Sequence, residues 1–99
     1  MPLVKAYELI QQGWTQLVTA RDNDGIPCNP TNLNAKCWCT IGAITAAYSE
    51  EPELRKAAIN KLQNKLNEDR INPISIAEWN DAYFQEKNAV YSTLKELDI

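Results

Sequence analysis

Apolar side chains recur at helical spacing in three stretches of the chain and crowd together in a fourth, residues 35–48, which is apolar on nearly every side. A helix with one apolar stripe lies on a surface, whereas one that is apolar all round is buried. The pattern therefore predicts a mainly α, compact domain of four to five helices around a buried central helix at about 35–48.

Leu3, Tyr7 and Ile10 place a first helix over residues 2–12, with Pro2 suited to its first turn and Gly13 as a left-handed stop. Leu54, Ala58, Leu62 and Leu66 form one stripe of an amphipathic helix opened by Pro52, with Lys56, Lys61, Asn64, Lys65 and Glu68 facing water. Asn72-Pro73 breaks it. Ser75-Ile76-Ala77-Glu78 then forms a capping box, flanked by Ile74 and Trp79 at the staple positions. Ile76, Trp79, Tyr83, Val90, Leu94 and Leu97 continue the period, and Asn88 is a cap for a separate last helix after a break near 85–87.

Between the first and central helices the period changes. Val18 and Thr19 lead into Asp22-Asn23-Asp24-Gly25 and then Ile26-Pro27, the composition of a short β-hairpin or irregular loop at about 17–28. Pro27 cannot donate to a ladder, so any second strand there is a brief edge. Residues 29–34 are turn chemistry, and either Asn34 or Asn32 is placed to cap the central helix.

Size and charge narrow the function classes. Ninety-nine residues make one domain, 1–99, and 44% hydrophobic with 23% charged residues is ordinary globular usage. The formal net charge is -3, with the acidic excess in residues 50–99 and no basic cluster, so a nucleic-acid partner is not expected. No apolar run suits a membrane span or a signal peptide, which points away from the membrane and to the cytoplasm. Three cysteines, an odd number, fit reduced thiols in that setting.

The cysteines are also the only conventional nucleophiles or soft metal ligands. On a helix Cys37 and Cys39 would stand about 200° apart around the axis, so one ion could not easily take both. The chain has no histidine. Asp22-Asn23-Asp24-Gly25 resembles the start of a calcium loop, but the twelfth position, where a bidentate acid belongs, is Leu33. Neither a metal nor a cofactor is expected. Cys37 or Cys39 as a nucleophile would need a lowered pKa; a helix N-terminus and Lys36 are near in sequence, but packing accounts for both cysteines more simply. Trp79-Asn80-Asp81 sets a large apolar anchor beside two poor helix formers. Either Asn80 or Asp81 accepts backbone N–H groups or pairs with Arg21, tying hairpin to helix, or the two line a pocket with Trp14 and Thr15.

Four islands in order along the chain carry a resemblance: Gly13-Trp14-Thr15-Gln16; Ala20-Arg21-Asp22 with Gly25 and Pro27; Trp38-Cys39 followed by Gly42-Ala43; and Trp79-Asn80-Asp81. Together they resemble the signature of an uncharacterised family, a domain of unknown function, of small bacterial and phage proteins. The resemblance runs from about Leu9 to Leu97. It implies that the four islands form one unit and supplies no activity.

The leading expectation is a small cytoplasmic, non-catalytic binding or protein-interaction module, an accessory or phage-related factor, whose site gathers Trp14, Thr15, Arg21, Asn80 and Asp81 around an unidentified protein or small ligand. The alternative is a small cysteine-dependent hydrolase or transferase using Cys37 or Cys39, with Asn80 and Asp81 as orienting groups. A homodimer covering part of the central helix is a third arrangement.

Overall fold

The structure is a computed structural model and describes residues 4–99. Its elements in order are α1 (Ala6–Gln12), β1 (Ala20–Asp22), β2 (Ala35–Trp38), α2 (Thr40–Ala47), α3 (Pro52–Asn67), α4 (Ile76–Asn80) and α5 (Lys87–Glu96). The fold is mainly α with a short antiparallel hairpin. Ile10, Ile44, Leu62, Val90, Leu94 and Ile99 are its largest fully buried apolar side chains, so α1, α2, α3 and α5 share one core.

Helix α1 starts at Ala6, where Glu8 Oε1 accepts the Lys5 N–H at 3.1 Å; Pro2 and Leu3 lie outside the described residues. Gly13 is not a left-handed stop. Its φ of -177° is ordinary extended backbone, and glycine is needed there for space: a Cβ would come within 2.3 Å of the Lys36 carbonyl oxygen. The end of α1 thereby lies directly on β2, with Trp38 N donating to Gly13 O and Thr15 N to Trp38 O, both at 3.1 Å.

The expected central helix over 35–48 is two elements. Residues 35–38 form the strand β2, antiparallel to β1 in the register Ala20↔Trp38, Arg21↔Cys37 and Asp22↔Ala35, with a bulge between Arg21 and Asp22. Only Thr40–Ala47 is helical, and its N-cap is Cys39, whose Sγ accepts the Gly42 N–H at 3.3 Å. Asn34 and Asn32 cap nothing; Asn32 Oδ1 instead takes the Asn34 N–H at 2.7 Å within the turn before β2. A short apolar run has no periodicity to distinguish a buried strand from a buried helix, which is why the two elements read as one.

The hairpin's second strand is therefore β2. Residues 26–28 cover the opposite edge of β1, with Asp22 N donating to Ile26 O at 2.9 Å and Cys28 N to Ala20 O at 3.0 Å. Pro27 meets Arg21 there in a single isolated bridge, the brief edge that its missing N–H allows. Gly25 closes the intervening turn at φ +79°, a conformation that favours glycine.

The capping box of α4 is present in both directions: Ser75 Oγ accepts the Glu78 N–H at 3.0 Å and Glu78 Oε1 accepts the Ser75 N–H at 3.2 Å. That helix stops at Asn80. After a break, α5 begins at Lys87 with Glu86 as N-cap, so Asn88 lies inside the first turn and caps nothing. Tyr83, counted in the helical period, falls in the break and is fully exposed at 103%. Helix α3 ends at Asn67, before Pro73 is reached, because the Asn67 amide turns onto the chain ahead: Oδ1 accepts Ile74 N–H at 2.7 Å and Nδ2 donates to Ile74 O at 3.1 Å.

Candidate functional site

Asn80 is the last residue of α4 and is 1% exposed. A buried amide must use its oxygen and both amide hydrogens or lose about 1–3 kcal/mol per orphaned group. Here it does so. Its Oδ1 accepts Trp14 Nε1–H at 2.9 Å, Thr40 N–H at 2.9 Å and the Thr40 hydroxyl at 2.7 Å. Its Nδ2 donates to Thr15 O at 3.2 Å and to Asp81 Oδ1 at 2.9 Å. The amide orientation is forced, since the indole and the peptide N–H can only donate and the Thr15 carbonyl can only accept.

Thr40 N–H belongs to the first residue of α2, whose opening N–H groups have no partner within the helix. One oxygen of Asn80 thus satisfies α2's start while gripping the strand-like segment after α1. Asp81 extends the grip, its Oδ1 accepting the Leu17 N–H at 2.9 Å. Gln16 Nε2 completes it by donating to Asn80 O at 3.0 Å and Ala82 O at 3.2 Å.

Arg21 joins from the hairpin but does not pair with Asp81; of the tie expected between hairpin and helix, the backbone limb holds, with Asn80 and Asp81 accepting the Thr40 and Leu17 N–H groups. Its Nε donates to Thr15 Oγ1 at 2.9 Å and its Nη1 to Gly25 O at 3.0 Å. Among the described residues the ion pairs are Lys5 with Asp98 and Lys65 with Glu68, both remote from this network. Trp14, Thr15, Arg21, Asn80 and Asp81 are therefore linked through one another. Sequence reasoning missed Gln16, although it stands inside the first island, and Thr40, whose burial no local pattern signals.

Between the Leu17–Thr19 segment and α4 lies a cleft of about 180 Å³. Leu17, Val18, Ile41 and Ala77 supply its apolar walls, and Cys39 and Asp81 face it. Two backbone features build it. Gly42 lets the 17–19 segment close on α2, because a Cβ there would be 1.9 Å from the Thr19 carbonyl oxygen. Leu17 holds a left-handed φ of 75°, a strained conformation for a branched side chain, and is 78% exposed.

The cysteines are placed differently from the helical expectation. Cys37 lies in β2 and Cys39 at the helix cap, so the opposed-face geometry of one helix does not apply. Burial pushes the Cys39 thiol above its ordinary pKa, and the Gly42 N–H offsets this only in part. All three cysteines are free. The calcium-like stretch is a turn, with Asp22 Oδ1 accepting Asp24 N–H at 2.9 Å and Ile26 N–H at 3.0 Å. No grouping of acids and cysteines suited to a metal ion occurs among the described residues.

Fold and site together define a class: a small helical domain in which one buried amide clamps a hairpin to the ends of two helices. The chain belongs to a family of unknown function (DUF6197), whose model matches residues 3–97. No curated protein and no solved structure matches it. All four sequence islands converge on the clamp: Trp14 to Gln16 and Arg21 through their bonds, Thr40 and Gly42 within the third, and Asn80 with Asp81 as its centre.

Proposed function

We propose that this chain is a non-catalytic binding module that recognises a protein partner through apolar side chains held out by the clamp. The observation that carries the reading is a division of labour. Apart from one carboxylate oxygen of Asp81, the polar residues of the site are spent on one another, whereas the two segments they immobilise turn apolar groups outward. Gln16 and Gln85 hold the backbone at Trp79, Asn80 and Ala82, and from that braced break Tyr83 and Phe84 project at 103% and 82% exposure. Exposed aromatics on a rigid support lose little conformational entropy on binding and are typical anchors of protein interfaces.

A protein partner is favoured over a drug-sized ligand by volume. The cleft beside the clamp holds about 180 Å³, below the roughly 300–1,000 Å³ of sites that enclose such ligands. A cytoplasmic, accessory or phage-related setting belongs to the same proposal and is supported by the free cysteines and the sequence resemblance. The thiol-enzyme alternative has one observation in its favour, Cys39 facing the cleft. Against it stand a pKa raised by burial and the absence of histidine to move a proton near neutral pH.

Affinity capture with paired variants tests the reading. Y83S/F84S should lose the partner recovered by the native chain, while L33S, which removes an equally exposed leucine from the turn before β2, should retain it. Equal capture by Y83S/F84S and the native chain would place the interface elsewhere.

A further inference from the structure

The cleft beside Asn80 carries a sharper statement about what enters it, which rests on the protein-binding reading above. Its walls at Leu17, Val18, Ile41 and Ala77 are aliphatic, and the one formal charge on it is the Asp81 carboxylate. Asp81 uses Oδ1 for two internal bonds, from Leu17 N–H and Asn80 Nδ2, while Oδ2 accepts none from the described residues. No lysine or arginine stands within ion-pair distance of it among those residues.

A fixed carboxylate at the edge of an aliphatic cleft complements a group with a hydrocarbon stem and a cationic end. The size agrees. About 180 Å³ accommodates one long side chain and little more. The chain's net charge of -3 has the sign that attracts a cation. An ammonium is favoured over a guanidinium because only one carboxylate oxygen is unengaged, which suits a point donor better than a bidentate fork.

We propose that this cleft receives a lysine side chain of the protein partner, its stem packed on Leu17, Ile41 and Ala77 and its ammonium on Asp81 Oδ2. Leu17 then serves as the adjustable lip, its strained backbone held by the same carboxylate that reads the ligand.

The probes are blocked lysine (N-acetyl-lysine methylamide), n-butylammonium and the uncharged analogue N-acetyl-norleucine methylamide, each titrated into the full chain and followed by amide chemical shifts. Blocked lysine should produce saturable shifts at residues 17–19, 41, 77 and 81, and norleucine should bind about tenfold more weakly, the usual worth of a charge-assisted bond. n-Butylammonium carries the same four-carbon stem and ammonium, so it should shift the same residues; its failure to bind would overturn the side-chain contacts proposed. D81N keeps an acceptor for Leu17 N–H and removes the charge; A77L fills the cleft without touching the clamp. D81N should weaken blocked lysine about tenfold and A77L should abolish the shifts, both variants remaining folded. Absence of shifts with blocked lysine, or equal shifts from norleucine, overturns the proposal. Capture of the partner separates the two readings: loss with Y83S/F84S but not with D81N and A77L leaves the interface standing and removes the lysine site. Loss with D81N and A77L but not with Y83S/F84S does the reverse.

Discussion

Trp14 and Asn80, sixty-six positions apart, are joined by a 2.9 Å hydrogen bond from the indole N–H to the same oxygen that receives the first amide of α2. The bond makes a single side chain the meeting point of the segment after α1, the start of α2 and the end of α4. A network fully satisfied in a low-dielectric interior stabilises one arrangement, and it loses most when one member changes its hydrogen-bonding sense.

Asn80→Asp is the substitution that makes this change with almost no change in shape. It replaces the Nδ2 donor by an oxygen facing Thr15 O and the Asp81 carboxylate. The expected loss in urea denaturation is about 3 kcal/mol near neutral pH, since an unpaired charge is left buried beside a like charge. The introduced carboxyl has its pKa raised in the folded state, so the loss shrinks at acid pH, where it carries a proton and can donate again. Native stability for this variant at neutral pH would contradict the role given to the amide.

Gly42→Ala separates sterics from helix propensity. In an open helix the change is favourable by about 1 kcal/mol. In α2 the added Cβ would lie 1.9 Å from the Thr19 carbonyl oxygen, which is backbone and cannot swing aside. Net destabilisation of about 1–3 kcal/mol is expected, with faster amide exchange in residues 17–19 as the segment lifts from the helix. A stabilised variant would mean that the close approach is absent in solution.

Cys39 has a defined alkaline signature. Its thiol is raised above the ordinary value of 9.0, chiefly by desolvation. A group of raised pKa binds its proton more tightly when folded, so its contribution is level below pH 9.0 and stability falls as pH rises through the unfolded value towards the folded one. Cys39→Ala should flatten that alkaline decline. At neutral pH the native thiol should react with a small disulfide reagent more slowly than half-buried Cys28 and Cys37. Rapid modification of Cys39 would favour the thiol-enzyme alternative.

What the sequence disclosed follows from the range of each physical signal. The capping box at Ser75 and Glu78 involves neighbours three residues apart and was legible in full; the stripe of α3 was legible at Ala58 and Leu62, while Leu54, counted in the same stripe, is exposed at 50%. Strand β2 was not, because its pairing with β1 depends on residues distant in sequence and its apolar run carries no period. Gly13 shows the same limit. Its position after α1 suggested a backbone conformation, whereas its cause is the Lys36 carbonyl oxygen twenty-three residues on. The site residues were readable as uncommon polar groups near tryptophans, but their partners were not. Arg21 and Asp81 have opposite charges and an obvious mutual attraction, yet Arg21 is taken by the Gly25 carbonyl of its own turn, and Asp81 by the Leu17 N–H that only the folded chain brings near.

Tyr83 and Phe84 give the test in which stability should not move. Both are almost wholly exposed, in a break fixed by Gln16, Gln85 and the Asn80 and Ala82 carbonyls and not by their own rings. Removing side chains that bury so little surface changes folding little, so Y83S/F84S should melt at the native temperature within about two degrees. Gln16→Ala makes the complementary change. It leaves both rings in place and removes two hydrogen bonds that brace the break, so it should weaken partner capture with only a small loss of stability. A large drop in melting temperature for Y83S/F84S would show that the rings pack against the domain in solution, and the apolar display on which the binding reading depends would then not exist.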